Sequence, residues 1–219
     1  VTTPVREGVF FTTPPTLPKG RHGLDHGAVL ESQRERLMIA ATELLAADGY
    51  RALAVRDVAT RAHVSQPAFY ECFVDKEDCL FAAYDRFITV LTGRLLGAVT
   101  DPGPTWDGVV TAVVLAYARA LQDDPVVARA FLLELDGLGR PARDRRRSAI
   151  HGLALLLRDQ RERYWPGSRP VPLSAYAAAV YAIRQLTADQ LDVPGQEHRL
   201  TAVAAGLVPT VSAMLVPPA

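Results

Sequence analysis

The chain has 219 residues, 49% of them apolar, with 24 Lys and Arg against 24 Asp and Glu. Such a length and apolar share support one domain or two small ones with a substantial core, and they exclude a disordered chain. Net charge is zero, and the segment Lys19 to Phe73 is balanced too, seven basic residues against seven acidic. No diffuse basic field announces a nucleic-acid partner, so any such role must rest on particular side chains.

No apolar run reaches the length of about 18 residues that a membrane helix needs, and the first thirty residues carry prolines and charges where a signal peptide needs an apolar stretch. The expectation is a cytoplasmic protein with no membrane partner. The two cysteines, Cys72 and Cys79, form neither a disulfide framework nor a metal pattern and are expected as buried thiols. Two lysines against twenty-two arginines, in an alanine-rich chain, point to the coding bias of a GC-rich bacterium.

In chain order, residues 1–20 hold Pro4, Pro14, Pro15 and Pro18 among threonines and glycines with no periodicity, which predicts a disordered or extended stretch that does not pack. A basic segment from Leu17 to Leu24, with Lys19 and Arg21, follows. It reads either as a solvated linker or as an arm that lies along a DNA backbone or enters its minor groove. Residues 1–30 together form the expected N-terminal arm.

From Glu31 to Asp48, the spacing of Leu37, Ala40, Ala41, Leu44 and Leu45 predicts an amphipathic helix, ended by Gly49. Val55 to Ala62 and Gln66 to Phe73 are two further short helices, separated by a tight break at His63 and Val64. Asp75 is placed to cap a fourth helix running to about Val99, with Asp78 three residues on. Asp101-Pro102-Gly103-Pro104 breaks it. Helical stretches then follow at about Trp106 to Gln122, Pro125 to Gly137, Ala142 to Tyr164, Leu173 to Leu191 and Gln196 to Leu215. No strand pattern is convincing, and the fold class is all-α.

The stretch Gly49 to Leu80 has the punctuation of a helix-turn-helix, with Ser65 opening the second helix of the motif. The order Gly49-Tyr50, Val58-Ala59, Val64-Ser65, Tyr70, Phe73, Lys76-Glu77 and Leu80 resembles the DNA-binding domain of the TetR/AcrR family of bacterial transcriptional repressors, and the likeness in sequence covers about Ser32 to Phe87. On this reading residues 31–78 are the DNA-binding domain and residues 79–219 a ligand-binding and dimerisation domain.

A recognition helix inserts its first turns into the major groove. Ser65 serves as N-cap and can meet a phosphate. Gln66, Pro67, Ala68, Tyr70 and Glu71 are the groove-facing candidates, because Phe69 and Phe73 are wanted in the core. Gln66 can pair with adenine, Pro67 and Ala68 can touch a thymine methyl, and Glu71 can accept from cytosine. The resemblance implies phosphate contacts for Tyr70, Lys76 and Arg56. Two departures from the family pattern stand out: His63 where the turn usually has glycine, predicting a strained left-handed residue, and Ala54 where the second helix usually has a Thr or Ser cap. Pro67 falls in the first turn of its helix, where no backbone donor is lost.

The C-terminal part is read from helix number and length. Ala177, Ala178, Ala179 and Ala182 beside Val180, Ile183 and Leu186, with Thr201 to Leu215 apolar on most sides, need another layer; the resemblance implies a homodimer through the last two helices and a small-molecule effector. Pro209 should bend the last helix. Tyr84, Phe87, Trp106, Tyr117, Phe131 and Tyr176 are the candidate ligand-lining aromatics, drawn with Tyr164, Trp165 and Tyr181 from one stock. Glu134 and Asp136 read as a solvated face, or as a counter-charge to a cationic ligand; the Arg140 to Arg147 cluster reads as solvated charge, or as a site for nucleic acid or an anionic ligand.

No metal motif, nucleophile elbow or phosphate-binding loop occurs, so neither cofactor, metal site nor catalytic residue is expected. The function expected is a dimeric, sequence-specific repressor acting on a near-palindromic double-stranded operator and released by a small apolar or aromatic ligand. The alternative is a helical interaction protein whose helix-turn-helix docks a protein partner.

Overall fold

The computed structural model describes residues 2–15, 25–101 and 105–216. Among these, regular structure is helical: α1 His26–Ala52, α2 Val55–Arg61, α3 Gln66–Cys72, α4 Lys76–Ala98, α5 Trp106–Asp123, α6 Pro125–Leu132, α7 Arg140–Tyr164, α8 Leu173–Asp192 and α9 Leu200–Met214. Short 3-10 turns at Glu134–Leu138 and Glu197–Arg199 replace the ends of two stretches expected as continuous helix. The 102–104 breaker and the Lys19 and Arg21 segment lie outside the described residues.

Two compact units result, one of Val1–Phe87 with Val126–Leu138, the other of Ile88–Pro125 with Gly139–Ala219. This differs from the division expected after residue 78. The first half of α4 joins the first unit through its aromatics: Tyr84 and Phe87 lie 5.6 and 5.2 Å from the Phe131 ring of α6.

The described part of the N-terminal arm corrects an expectation. Residues 2–15 form a strap whose Phe10 and Phe11 are buried at 2% and 1% exposure. Phe10 packs 5.0 Å from Phe87, and the Val5 N–H donates to Glu43 Oε1 of α1 at 2.9 Å. Two buried phenyl rings contribute roughly 2–3 kcal/mol each, enough to hold an irregular segment. Periodicity cannot reveal such a strap, because it has none.

In the first unit, local chemistry sets each break. Gly49 adopts φ 74°, ψ 168°, a region open essentially to glycine alone, and kinks α1 where the sequence placed its end, the last turn continuing to Ala52. His63 sits at φ 54°, the left-handed conformation expected of it. Ser65 caps α3, its Oγ accepting from the Ala68 N–H at 3.3 Å. At the start of α4, Asp75 accepts from the Asp78 N–H at 2.8 Å while Asp78 accepts from the Val74 N–H at 3.1 Å, a reciprocal cap that satisfies two orphan donors. Ala54 leaves α2 without a side-chain cap.

In the second unit α5 packs on α9 and α7, and α8 on α7 and α9. Helix α5 is capped by Thr105, which accepts from the Gly108 N–H at 3.1 Å, and buries Val109, Val110, Val113, Val114, Ala118 and Leu121. Arg161 of α7 is 2% exposed and donates to the carbonyls of Leu215 and Arg169 at 2.8 and 3.3 Å, fixing the end of α9. Pro209 lies inside α9, its missing donor costing one rung of the ladder.

Candidate nucleic-acid interface and apolar cavity

Helix α3 has seven residues, too few to persist alone, and is held from one side. Phe69 is fully buried and packs 5.9 Å from Phe73. Arg34 of α1 reaches across, its guanidinium 4.2 Å over the Phe73 ring and donating to the Cys72 carbonyl at the end of α3. A cation there satisfies an orphan carbonyl and complements the helix dipole. Sequence reasoning gave Arg34 no role, since its partners lie 38 residues on.

With Phe69, Cys72 and Phe73 committed inward, the opposite face is free. Ser65, Gln66, Pro67, Tyr70 and Glu71 are exposed and Ala68 is half-buried. Tyr70 keeps 58% of its surface open, its ring edge-on to Phe69 at 5.4 Å. The structure thus brings the predicted groove-facing residues together on one short helix whose N-terminus points outward with a hydroxyl cap. Pro67 has no N–H and the Ala68 N–H is given to Ser65 Oγ, so this end presents side chains, the Ser65 hydroxyl and Gln66 among them, more than backbone donors. Val74, exposed at 80% just beyond α3, is an apolar side chain on the same head that the sequence reading passed over.

Arg56 projects from α2 with its side chain 76% exposed, paired at 3.2 Å with neighbouring Asp57. Lys76 is different. Its ammonium donates to the carbonyls of Leu53 and Tyr50 at 2.8 and 3.4 Å and lies 4.2 Å over the Tyr50 ring. It fastens the end of α1 to the start of α4. Tyr50 in turn donates to Glu77; that hydrogen bond to a carboxylate, with some burial, pushes the Tyr50 hydroxyl up to about 12, and it stays a donor throughout the physiological range.

The thiols of Cys72 and Cys79 are both buried, and burial raises both out of the reactive range. Among the described residues no group of His, Cys, Asp and Glu is arranged to hold a metal ion, and no helix is long and apolar enough to cross a membrane.

The second unit contains a cavity of about 30 Å³. Leu95 of α4, Val113, Val114 and Tyr117 of α5, Leu153, Leu156 and Leu157 of α7, and Val180 and Ile183 of α8 line it. An apolar hole of this size holds a water or two at most and is expected dry. Of the six aromatics predicted to line a ligand site, only Tyr117 reaches it. Tyr84, Phe87 and Phe131 form a packed aromatic nest with Phe10 in the first unit. Trp106 packs against Tyr164 and Trp165 at 6.3 and 5.7 Å, and Tyr176 is fully buried near Arg161. The aliphatic residues that do line the cavity carry no sequence signal beyond ordinary core periodicity.

Glu134 and Asp136 sit on the 3-10 turn, where Asp136 is exposed. Asp144 pairs with Arg147 at 2.9 Å and with Arg140 at 3.7 Å, an exposed network at the start of α7.

Comparison with known proteins identifies the head. Residues 37–83 match the family model of bacterial regulatory proteins, tetR family. No curated protein sequence matches significantly. Among solved structures, the transcriptional regulator FadR from Bacillus subtilis, in complex with stearoyl-CoA, is 17% identical with a TM-score of 0.71, covering 83% of this chain and 98% of its own. The fatty acid degradation regulator FadR from Bacillus halodurans is 18% identical with a TM-score of 0.67, covering 80% and 94%. A regulatory protein of the tetR family from Rhodococcus RHA1 is 23% identical with a TM-score of 0.62, covering 85% and 98%. At these identities the likeness is one of fold. With the helix-turn-helix geometry and the match over residues 37–83, this segment is similar to the DNA-binding head of bacterial regulatory proteins of the tetR family, and the described chain shares the fold of solved regulators.

Proposed function

We propose that the protein is a homodimeric, cytoplasmic repressor that reads a near-palindromic operator with α3 and is released by a small apolar effector. The observation that carries this reading is the exposed face of α3, with Ser65, Gln66, Pro67 and Tyr70 presented around a capped N-terminus. Gln66 and Glu71 supply base contacts, Pro67 and Ala68 meet a thymine methyl, and Ser65, Tyr70 and Arg56 hold phosphates. Lys76 contributes chiefly by fastening the end of α1 to the start of α4, and adds a phosphate contact secondarily.

Dimerisation is supported by the large apolar side chains left exposed on the last helices: Tyr181 and Leu186 of α8, Val193 beyond it, Met214 of α9 and Val216. Around them α9 exposes Ala202, Ala205, Gly206, Pro209 and Ala213. A surface of small and apolar residues on two adjacent helices suits close packing against a second copy about a two-fold axis. Two heads so joined would meet half-sites about 34–36 Å apart.

The effector class follows from the cavity walls, which are all carbon apart from the Tyr117 hydroxyl. An apolar ligand, for which the stearoyl-CoA complex of the Bacillus subtilis protein is a precedent, must enlarge a space of about 30 Å³. Doing so displaces Leu95, and α4 carries that displacement toward Lys76 and the reading head. The reading is tested by measuring binding to duplex DNA against salt. A logarithmic slope of several units, at about 0.9 per phosphate released, together with a dimer in solution, supports it. A flat salt dependence overturns it.

A further inference from the structure

We infer that the N-terminal strap is a positioning element for DNA reading, acting without touching DNA. The inference rests on the proposed function of α3. Two acids of α1 serve as junctions. Glu43, only 6% exposed, accepts from the Val5 N–H of the strap and pairs with Arg61 of α2. Glu35 lies 3.5 Å from the Thr12 N–H of the strap and pairs at 3.4 Å with Arg86 of α4. Phe10 adds an apolar anchor on Phe87 of α4 at 5.0 Å.

The strap is therefore fastened to α1 by backbone donors, and through the same carboxylates to the first helix of the helix-turn-helix and to α4. A tight turn keeps these anchors in register. Gly8, at φ 75°, donates to the Phe11 carbonyl at 2.8 Å, and Glu7 accepts from the Thr13 N–H at 2.9 and 3.0 Å. Short helices such as α2 and α3, with seven residues each, have little stability of their own. Their alignment depends on what they are pinned to, and an anchored strap narrows the arrangements that α1, α2 and α4 sample. A head that spends less time in its binding arrangement loses apparent affinity in proportion.

The test compares Phe10→Ala and Val5→Pro with the wild-type protein. The second variant removes one half-buried backbone donor and no apolar side chain of the aromatic nest, and keeps the head measurable if the first fails to fold. Each is titrated with an operator enriched by the wild type, over a range of salt, and followed by hydrogen exchange at the α2 amides of Val58 and Ala59 and at Ala118 of α5. A head competent about a tenth of the time gives an apparent affinity about tenfold lower. The expected result is that loss with the salt slope unchanged, and faster exchange in α2 but not in α5. Unchanged affinity of the folded protein, even with a lower melting temperature, overturns the inference and leaves the strap merely stabilising. A reduced salt slope also overturns it, since the strap would then hold phosphates. If the wild type binds no duplex, the functional reading fails, and unchanged α2 exchange in the variants separately rejects the strap as an organiser of the head.

Discussion

The reading head and the second unit are built by opposite strategies. In the head, the breaks and the starts of α3 and α4 are set by residues acting on backbone within a few positions of themselves: Gly49, His63, Ser65, and Asp75 with Asp78. In the second unit, the cavity and its supports come from side chains far apart in sequence, such as Gln122 accepting from the Thr201 N–H at 3.2 Å and Arg161 holding the carbonyl of Leu215. The first strategy gives a fixed presentation of a few polar groups. The second gives a layered interior of aliphatic side chains around a small apolar cavity.

The sharpest way to break this contrast is to remove its keystones. Phe69→Ala, at a fully buried site, should cost about 3–5 kcal/mol and melt the head first, seen as loss of DNA binding and of α3 amide protection while α5 remains protected. A uniform loss of protection across both units would show that they do not differ in this way. Arg161→Ala should cost about 2–3 kcal/mol, because it leaves buried carbonyls unpaired and removes packing from the end of α9. Chemical denaturation measures it, and the wild-type preference among DNA sequences should survive in the folded variant.

Gln66→Ala should lose on the order of 1–3 kcal/mol of discrimination at one base pair, measured as the ratio of affinities for matched and mismatched duplexes. Equal loss on specific and random DNA would remove Gln66 from the base-reading set. Ala54→Ser should stabilise α2 by about 1 kcal/mol by supplying the missing cap, and His63→Gly should gain about 0.5–1 kcal/mol by relieving the left-handed turn. Thermal unfolding followed in the head checks both.

The smallest effect concerns pH. Hydrogen bonds from Thr13 hold the Glu7 carboxyl below its ordinary range. A group depressed in the folded state contributes stability above its unfolded value and loses it as pH falls through the folded one. The strap turn should therefore loosen only on acidification below the usual carboxylate range, read as faster exchange at the Thr13 amide. Glu7→Gln should abolish that pH dependence.

The same contrast explains what could be read from the sequence. The helix-turn-helix was legible because its signals are local: a glycine, a left-handed histidine and a hydroxyl at fixed spacings. The resemblance to the family rests on Gly49-Tyr50, Val58-Ala59, Val64-Ser65, Tyr70, Phe73, Lys76-Glu77 and Leu80, with His63 a departure from it. The all-α class and most helix limits followed from apolar spacing. The strap was not legible, because Phe10 and Phe11 pack without periodicity and find partners, such as Phe87, that lie far along the chain. Nor was the cavity, since residue type alone points to aromatics as ligand-lining. Aromatics are large enough to fill space completely, as Phe87 and Phe131 do at 5.2 Å. The hole was left among branched aliphatics instead. The hold of Lys76 on the end of α1 was not legible either, since it depends on a carbonyl 23 residues earlier.

The central claim is that the exposed face of α3 reads base sequence as one half of a symmetric pair. Selection of bound sequences from a random duplex pool by the purified protein, at physiological salt, tests it most directly. The account predicts enrichment of a near-palindrome with half-site centres about one helical turn apart, or a small multiple of that spacing. Failure of a folded, dimeric protein to enrich any sequence would contradict it.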